Sequence, residues 1–155
     1  MFLIFIVTLL LFAFVLEGLL AKIKPRNKAN ELGLAATDIA LCFGQFGAAA
    51  AIQGLSLEKT REVFTQITEA VAEAGIVGEQ ARNVLKGFIQ VMWQGTLSIE
   101  EVKQQIGEVM PHSIDLLAKA IGKTVPEMFE MMENRELLSK NVLPKWAAAL
   151  SANVS

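Results

Sequence analysis

The chain has 155 residues, 53% of them hydrophobic, with a formal net charge of −2 and a sequence pI near 5.5. That length supports one domain with a real core rather than two, and a charge balance without basic excess predicts no nucleic-acid partner. The single cysteine, Cys42, excludes an internal disulfide and, set between Leu41 and Phe43, reads as a small buried hydrophobe.

Hydropathy is concentrated at the N-terminus, where Phe2 to Leu16 is interrupted only by Thr8. Continued through Glu17 to Ala21, the run gives about twenty helical residues, roughly 30 Å, which matches a hydrocarbon core. No Lys or Arg precedes it, whereas Lys22, Lys24, Arg26 and Lys28 follow, so the positive-inside rule would leave the C-terminal part in the cytoplasm. A cleavable signal peptide fits poorly, because a charged leading region and a small-x-small site before Lys22 are both missing. Residues 1–28 are therefore predicted as a candidate transmembrane segment, covering residues 2–21, plus a basic linker from Lys24 to Lys28 in which Pro25 disfavours helix at Lys24. Residues 29–155 form the predicted helical domain.

Residues 29–53, rich in Ala with Leu, Ile and Phe, suit one buried helix loosened by Gly44 and Gly47, with Ala48 to Ala51 inviting close packing. Gly54-Leu55-Ser56 is a stop followed by a cap. The next helix places Val63, Phe64, Ile67, Ala70, Val71 and Ala74 on one face and Glu58, Arg61, Glu62, Gln66, Glu69 and Glu73 on the other. After Gly75 to Gly78 comes a helix with Ala81, Val84, Leu85, Phe88 and Met92 inward and Trp93 closing its end. Gly95 then stops the chain and Ser98 restarts it as a cap, with Glu101 placed to reach back in a capping box.

Ile99, Val102, Ile106 and Val109 mark the following helix, which Pro111 interrupts by removing a backbone donor; Ile114, Leu117 and Ile121 resume the stripe. The stop-and-cap pattern recurs at Gly122, Thr124 and Glu127, with Pro126 tolerated in the first turn, and again in weaker form from Asn134 to Ser139. The last helix, from Lys140 to about Leu150, turns Val142, Leu143, Trp146 and Leu150 inward despite Pro144. No segment alternates with period two over a convincing length. The expectation is an all-α fold, an array of about six or seven short capped helices preceded by a hydrophobic N-terminal helix.

The chemical inventory is thin. His112 is the only histidine, and its i, i+3 partner Asp115 could orient an imidazole, but no second metal ligand or nucleophile stands near it. Glu100 and Glu101 are adjacent and so diverge on a helix; capping and the helix dipole account for them. No phosphate-loop pattern occurs. The predicted protein is not an enzyme and carries no catalytic, cofactor-binding or metal residues. The residues singled out are structural caps and turns, namely Gly95, Ser98, Glu101, Pro111, Gly122, Thr124, Glu127 and Ser139. Met128, Met131 and Met132 with Phe129 are read as adaptable core filler or as a candidate partner surface.

The tract also carries a family likeness. Asp38-Ile39-Ala40-x-x-Phe43, Gly54-Leu55-Ser56-x-Glu58, Gln90, Gly95-x-Leu97-x-x-Glu100-Glu101, Pro111, Ala118, Gly122-x-Thr124-x-x-Glu127-Met128 and Ser139-x-x-Val142-Leu143-Pro144 fall in a familiar order. From residue 38 to the C-terminus the chain resembles the N-terminal tape measure domain of tailed-phage and prophage tail tape measure proteins. Two departures stand out: Asn134 occupies a position where the family usually has Gly, and tape measure proteins are normally several times longer. The resemblance implies a non-enzymatic role in virion assembly and tail length determination, in the virion tail or host cytoplasm. Its implied partners are tail tube or tail assembly proteins; a membrane and a homo-oligomer are the other associations considered. The alternative reading is a small membrane-anchored helical interaction protein.

Overall fold

The computed structural model describes the backbone of residues 2–23 and 25–153, and the side chains of these residues apart from 14–28. Among the described residues the protein is all helical. The α-helices are α1 (Phe2–Ile23), α2 (Pro25–Leu32), α3 (Ala36–Ile52), α4 (Leu57–Glu73), α5 (Gly78–Gln94), α6 (His112–Ala120), α7 (Val125–Glu133) and α8 (Ser139–Ala152); a π-helical segment, Glu100–Gly107, lies between α5 and α6.

Three boundaries differ from the sequence expectation. The predicted linker is helical from Pro25, because a proline that ends one helix is tolerated as the first residue of the next. Residue 24 lies outside the described residues. The predicted helix over 29–53 is two helices, split at Gly33, whose φ of 61° lets the Leu34 N–H reach back to the Ala29 carbonyl at 2.8 Å. The segment after Gly95 is π-helical rather than α-helical. In that wider helix the Cα of Gly107 stands over the backbone of residue 102. A Cβ there would come within 2.9 Å of the Val102 carbonyl and 2.6 Å of Ile114 Cδ1, which explains why glycine occupies the position.

α3 and α5 run parallel: Arg82 near the start of α5 bonds Asp38 near the start of α3 at 2.9 Å, and Gln53 at the end of α3 lies against Gly95 at the end of α5. α4 and α8 run the other way and pack along each other. The core lies between these four helices. It includes Phe43 and Phe46 against Phe64, with centroids 5.3 and 5.7 Å apart, and Phe88 against Trp146 at 4.9 Å. The inward faces of α4 and α5 follow the predicted 3.6-residue period, except that Ala74 is exposed just past the end of α4. Trp93 is half exposed rather than sealing the end of α5. Cys42 is buried, and burial raises its thiol pKa above the usual range, with Asp38 adding to the rise.

The side chains of α1 from Phe2 to Phe12 are exposed. Among the described residues no helix is long and apolar enough to cross a membrane. The described side chains of α1 stop at Ala13, and a helix of that length rises about 18 Å against a hydrocarbon core of about 30 Å. Residues 14–21, which the predicted span requires, lie outside the described side chains.

Candidate functional site

Two of the motif residues, Gly95 and Ser139, meet in a clasp between two turns that are about forty residues apart in the chain. At the end of α5, Gly95 takes a left-handed conformation (φ 77°) and exposes its carbonyl, which accepts the Ser139 N–H at 2.9 Å. Two residues on, the Leu97 N–H donates to the Leu137 carbonyl at 2.9 Å, so that Thr96 and Leu138 face each other as an isolated antiparallel bridge. The Ser139 hydroxyl is buried and donates to the Val91 carbonyl at 2.6 Å. Val91 lies in the last turn of α5, where helical carbonyls have no partner within the helix. One residue, Ser139, thus satisfies two orphan carbonyls of another helix.

Ser139 is consequently the first residue of α8 and not its cap; Leu138 precedes it, with no capping side chain. The Ser98 carbonyl accepts the Val102 N–H at 3.2 Å, but no side-chain capping bond is made at the start of this segment. Glu101 does not reach back to Ser98. It is buried, and its Oε1 accepts a 2.9 Å bond from Gln94 Nε2 while Oε2 has no hydrogen-bond partner. Thr124 and Glu127 form both arms of a capping box: the Thr124 hydroxyl accepts from the Glu127 N–H at 3.3 Å, and Glu127 Oε2 accepts from the Thr124 N–H at 2.8 Å. The Thr124 N–H bond, joined by a 3.0 Å bond from the Thr124 hydroxyl to the same Oε2, holds the Glu127 carboxyl below its ordinary pKa.

Gly122 is left-handed and closes α6, with Lys123 N–H donating to the Ala118 carbonyl at 3.0 Å. Pro111 sits immediately before α6, and behind it the Trp146 indole donates to the Ser113 carbonyl at 2.9 Å, tying α8 to the start of α6. At the α7 to α8 turn the left-handed residue is Arg135 (φ 57°) and not Asn134, which stays right-handed. Arg135 and Glu136 N–H donate to the Met132 and Met131 carbonyls at 3.0 and 2.9 Å, just as Gly54 and Leu55 donate to Ala51 and Ala50.

Met128 and Met132 are buried, and Met131 is half-buried against the same core. The predicted methionine partner surface is therefore largely interior, since α7 turns Met128 and Met132 onto the bundle. His112 is exposed at the first turn of α6. Among the described residues no cluster of three or more His, Cys, Asp or Glu side chains could hold a metal.

Two surface depressions among the described residues bear on the site. A cleft of about 450 Å³ opens between the C-terminal ends of α4 and α8 and the start of α6, with Ala70, Ile76, Val109, Met110, Leu116 and Leu150 as apolar lining, the buried Ser113, whose hydroxyl has no hydrogen-bond partner, also lining it, and Glu73, His112 and Asn153 exposed. A polar groove of about 500 Å³ runs between α5 and the π-helical segment, lined by Asn83, Lys86, Gln90, Gln104, Gln105 and Glu108. Sequence reasoning identified neither, because each is assembled from elements far apart in the chain.

A family model described as tape measure protein matches residues 26–153. The chain is 30% identical over 125 residues to a probable tape measure protein of Salmonella phage Felix O1 (isolate Felix O1-VT1), a match that covers 81% of this chain and 17% of that relative. No solved structure matches.

Proposed function

The chain belongs to the tape measure protein family, and on that premise we propose that it acts as a folded, non-catalytic module in phage tail length determination. It docks tail tube or tail assembly proteins rather than supplying length itself. The observation that carries this reading is the family match over residues 26–153, combined with the compact packing of the same residues.

A ruler built of extended helix gains about 1.5 Å per residue. This domain instead folds back on itself, and its longest helices within the bundle, α3, α4 and α5, have 17 residues each, or about 26 Å. The chain spans 17% of the length of the relative it matches, and in a protein of that kind the remaining polypeptide would set most of the measured distance.

Tail length, measured by electron microscopy after in-frame duplication of residues 26–153 within a tape measure polypeptide that carries them, tests this. A folded module predicts little or no added length. Tails longer by about 190 Å, the span of the duplicated residues as one extended helix, would mean that the segment works unfolded as part of the ruler.

A further inference from the structure

Residues 98–107 carry the parts of two different helices. We propose that this segment exchanges its π-helical register for an α-helical one, capped by Ser98 and Glu101, and so forms a conformational switch between the clasp and the polar groove. The π register is held between bonds of α spacing. The Val102 N–H donates to the Ser98 carbonyl, four residues back, at 3.2 Å, and the Met110 N–H donates to the Ile106 carbonyl at 2.8 Å. Between these ends the chain is wound wide over Glu100–Gly107. Such helices are rare, run mostly to a single turn and occur frequently at functional sites.

The observed register leaves idle the groups that the other would join. Among the described residues neither the hydroxyl nor the N–H of Ser98 has a hydrogen-bond partner, and Glu101 is buried with its Oε2 unpartnered. Ser98 and Glu101 stand three residues apart, the spacing of a capping box. In an α-helix begun at Ile99, the Ser98 hydroxyl accepts from the Glu101 N–H and the Glu101 carboxylate returns to the Ser98 N–H. Glu101 then lets go of Gln94 Nε2, which now donates to its Oε1 at 2.9 Å. Gly107 keeps the wide register open. A Cβ there would stand 2.9 Å from the carbonyl of Val102, five residues back, which is the acceptor position of a π-helix. That carbonyl is backbone and cannot turn aside, whereas Ile114 Cδ1, at 2.6 Å, is the end of a flexible side chain. The segment touches two features at once. Gln94 immediately precedes Gly95, whose carbonyl holds Ser139, and Gln104, Gln105 and Glu108 wall the groove opposite Lys86 and Gln90. A change of register frees Gln94 and redraws that wall in one step.

The test is nitrogen-15 relaxation dispersion on the full chain, which detects microsecond-to-millisecond exchange with a minor state of about 0.1–10%. The expected result is exchange confined to about residues 94–110 and abolished in Glu101→Leu, which lacks the returning carboxylate. Gly107→Ala should make the minor state the major one, with the scalar coupling across the residue 107 amide hydrogen bond moving from the Val102 carbonyl to that of Lys103. In the Gly107→Ala background Ser98→Ala should then lower the melting temperature by about 2–4 °C, against less than about 1 °C in the native chain. A native chain without exchange in this segment overturns the proposal whether or not Gly107→Ala folds, and so does exchange that persists in Glu101→Leu. A folded Gly107→Ala that keeps the Val102 coupling, or an equal Ser98→Ala effect in both backgrounds, overturns it as well.

Discussion

Replacing Ser139 by Ala removes one oxygen from a fully buried position and leaves the Val91 carbonyl without its 2.6 Å donor. An unsatisfied buried acceptor costs about 1–3 kcal/mol. The backbone bond from Ser139 N–H to Gly95 survives the substitution, which keeps the loss near the middle of that range, about 2 kcal/mol. For a domain of this length each kcal/mol moves the melting temperature by about 2–4 °C, so a drop of roughly 4–8 °C is expected in thermal unfolding followed by circular dichroism. Ser151→Ala, in the last turn of the same helix, controls for the general effect of serine-to-alanine exchange on helix propensity. A Ser139→Ala melting temperature within about 1 °C of that control would show that the hydroxyl does not hold α5 to α8, and the account of the clasp would fail.

Thr124→Ala should cost about 1 kcal/mol and Ser98→Ala only a few tenths, because only the first removes a formed cap; equal effects in denaturant titrations would contradict the assigned bonds. The Glu127 carboxyl has a lowered folded-state pKa, from the backbone and then the side-chain hydrogen bond of Thr124. Its contribution is therefore present above the unfolded pKa and is lost as pH falls through the folded one. The stability advantage of the native chain over Glu127→Gln should be constant above about pH 5 and shrink below about pH 4; a pH-independent difference would refute this. Arg135→Gly should raise stability by about 1 kcal/mol, since a side chain in the left-handed region costs roughly 1–2 kcal/mol and glycine returns part of that as chain entropy. A destabilised variant would mean that the Arg135 side chain makes a contact outweighing its backbone strain.

What the sequence made legible was local. The faces of α4 and α5 follow from 3.6-residue periodicity. Ser56 and Thr124 cap as their spacing suggests, and Gly54, Gly75, Gly95 and Gly122 are all left-handed. Misreadings arose where a distant partner takes a residue that local grammar would use otherwise. Ser139 has the look of a cap but bonds Val91 across the bundle. Ser98 makes no cap although it precedes a helical residue, and the segment after it winds as a π-helix in which Gly107 closely approaches Ile114. Gly33 was hidden by the apolar run around it. Asn134 drew attention as the residue in place of a glycine, while the left-handed position is one residue later and is filled by arginine. The cleft could not be read from the sequence, since its wall combines residues from Ala70 to Leu150.

The central claim is that this chain is part of the phage tail. An antibody raised against residues 29–153, used on tails purified from producing cells and on the membranes of the same cells, tests it most directly. The account predicts signal in the tails; signal confined to the membranes, with none in tails, would contradict it.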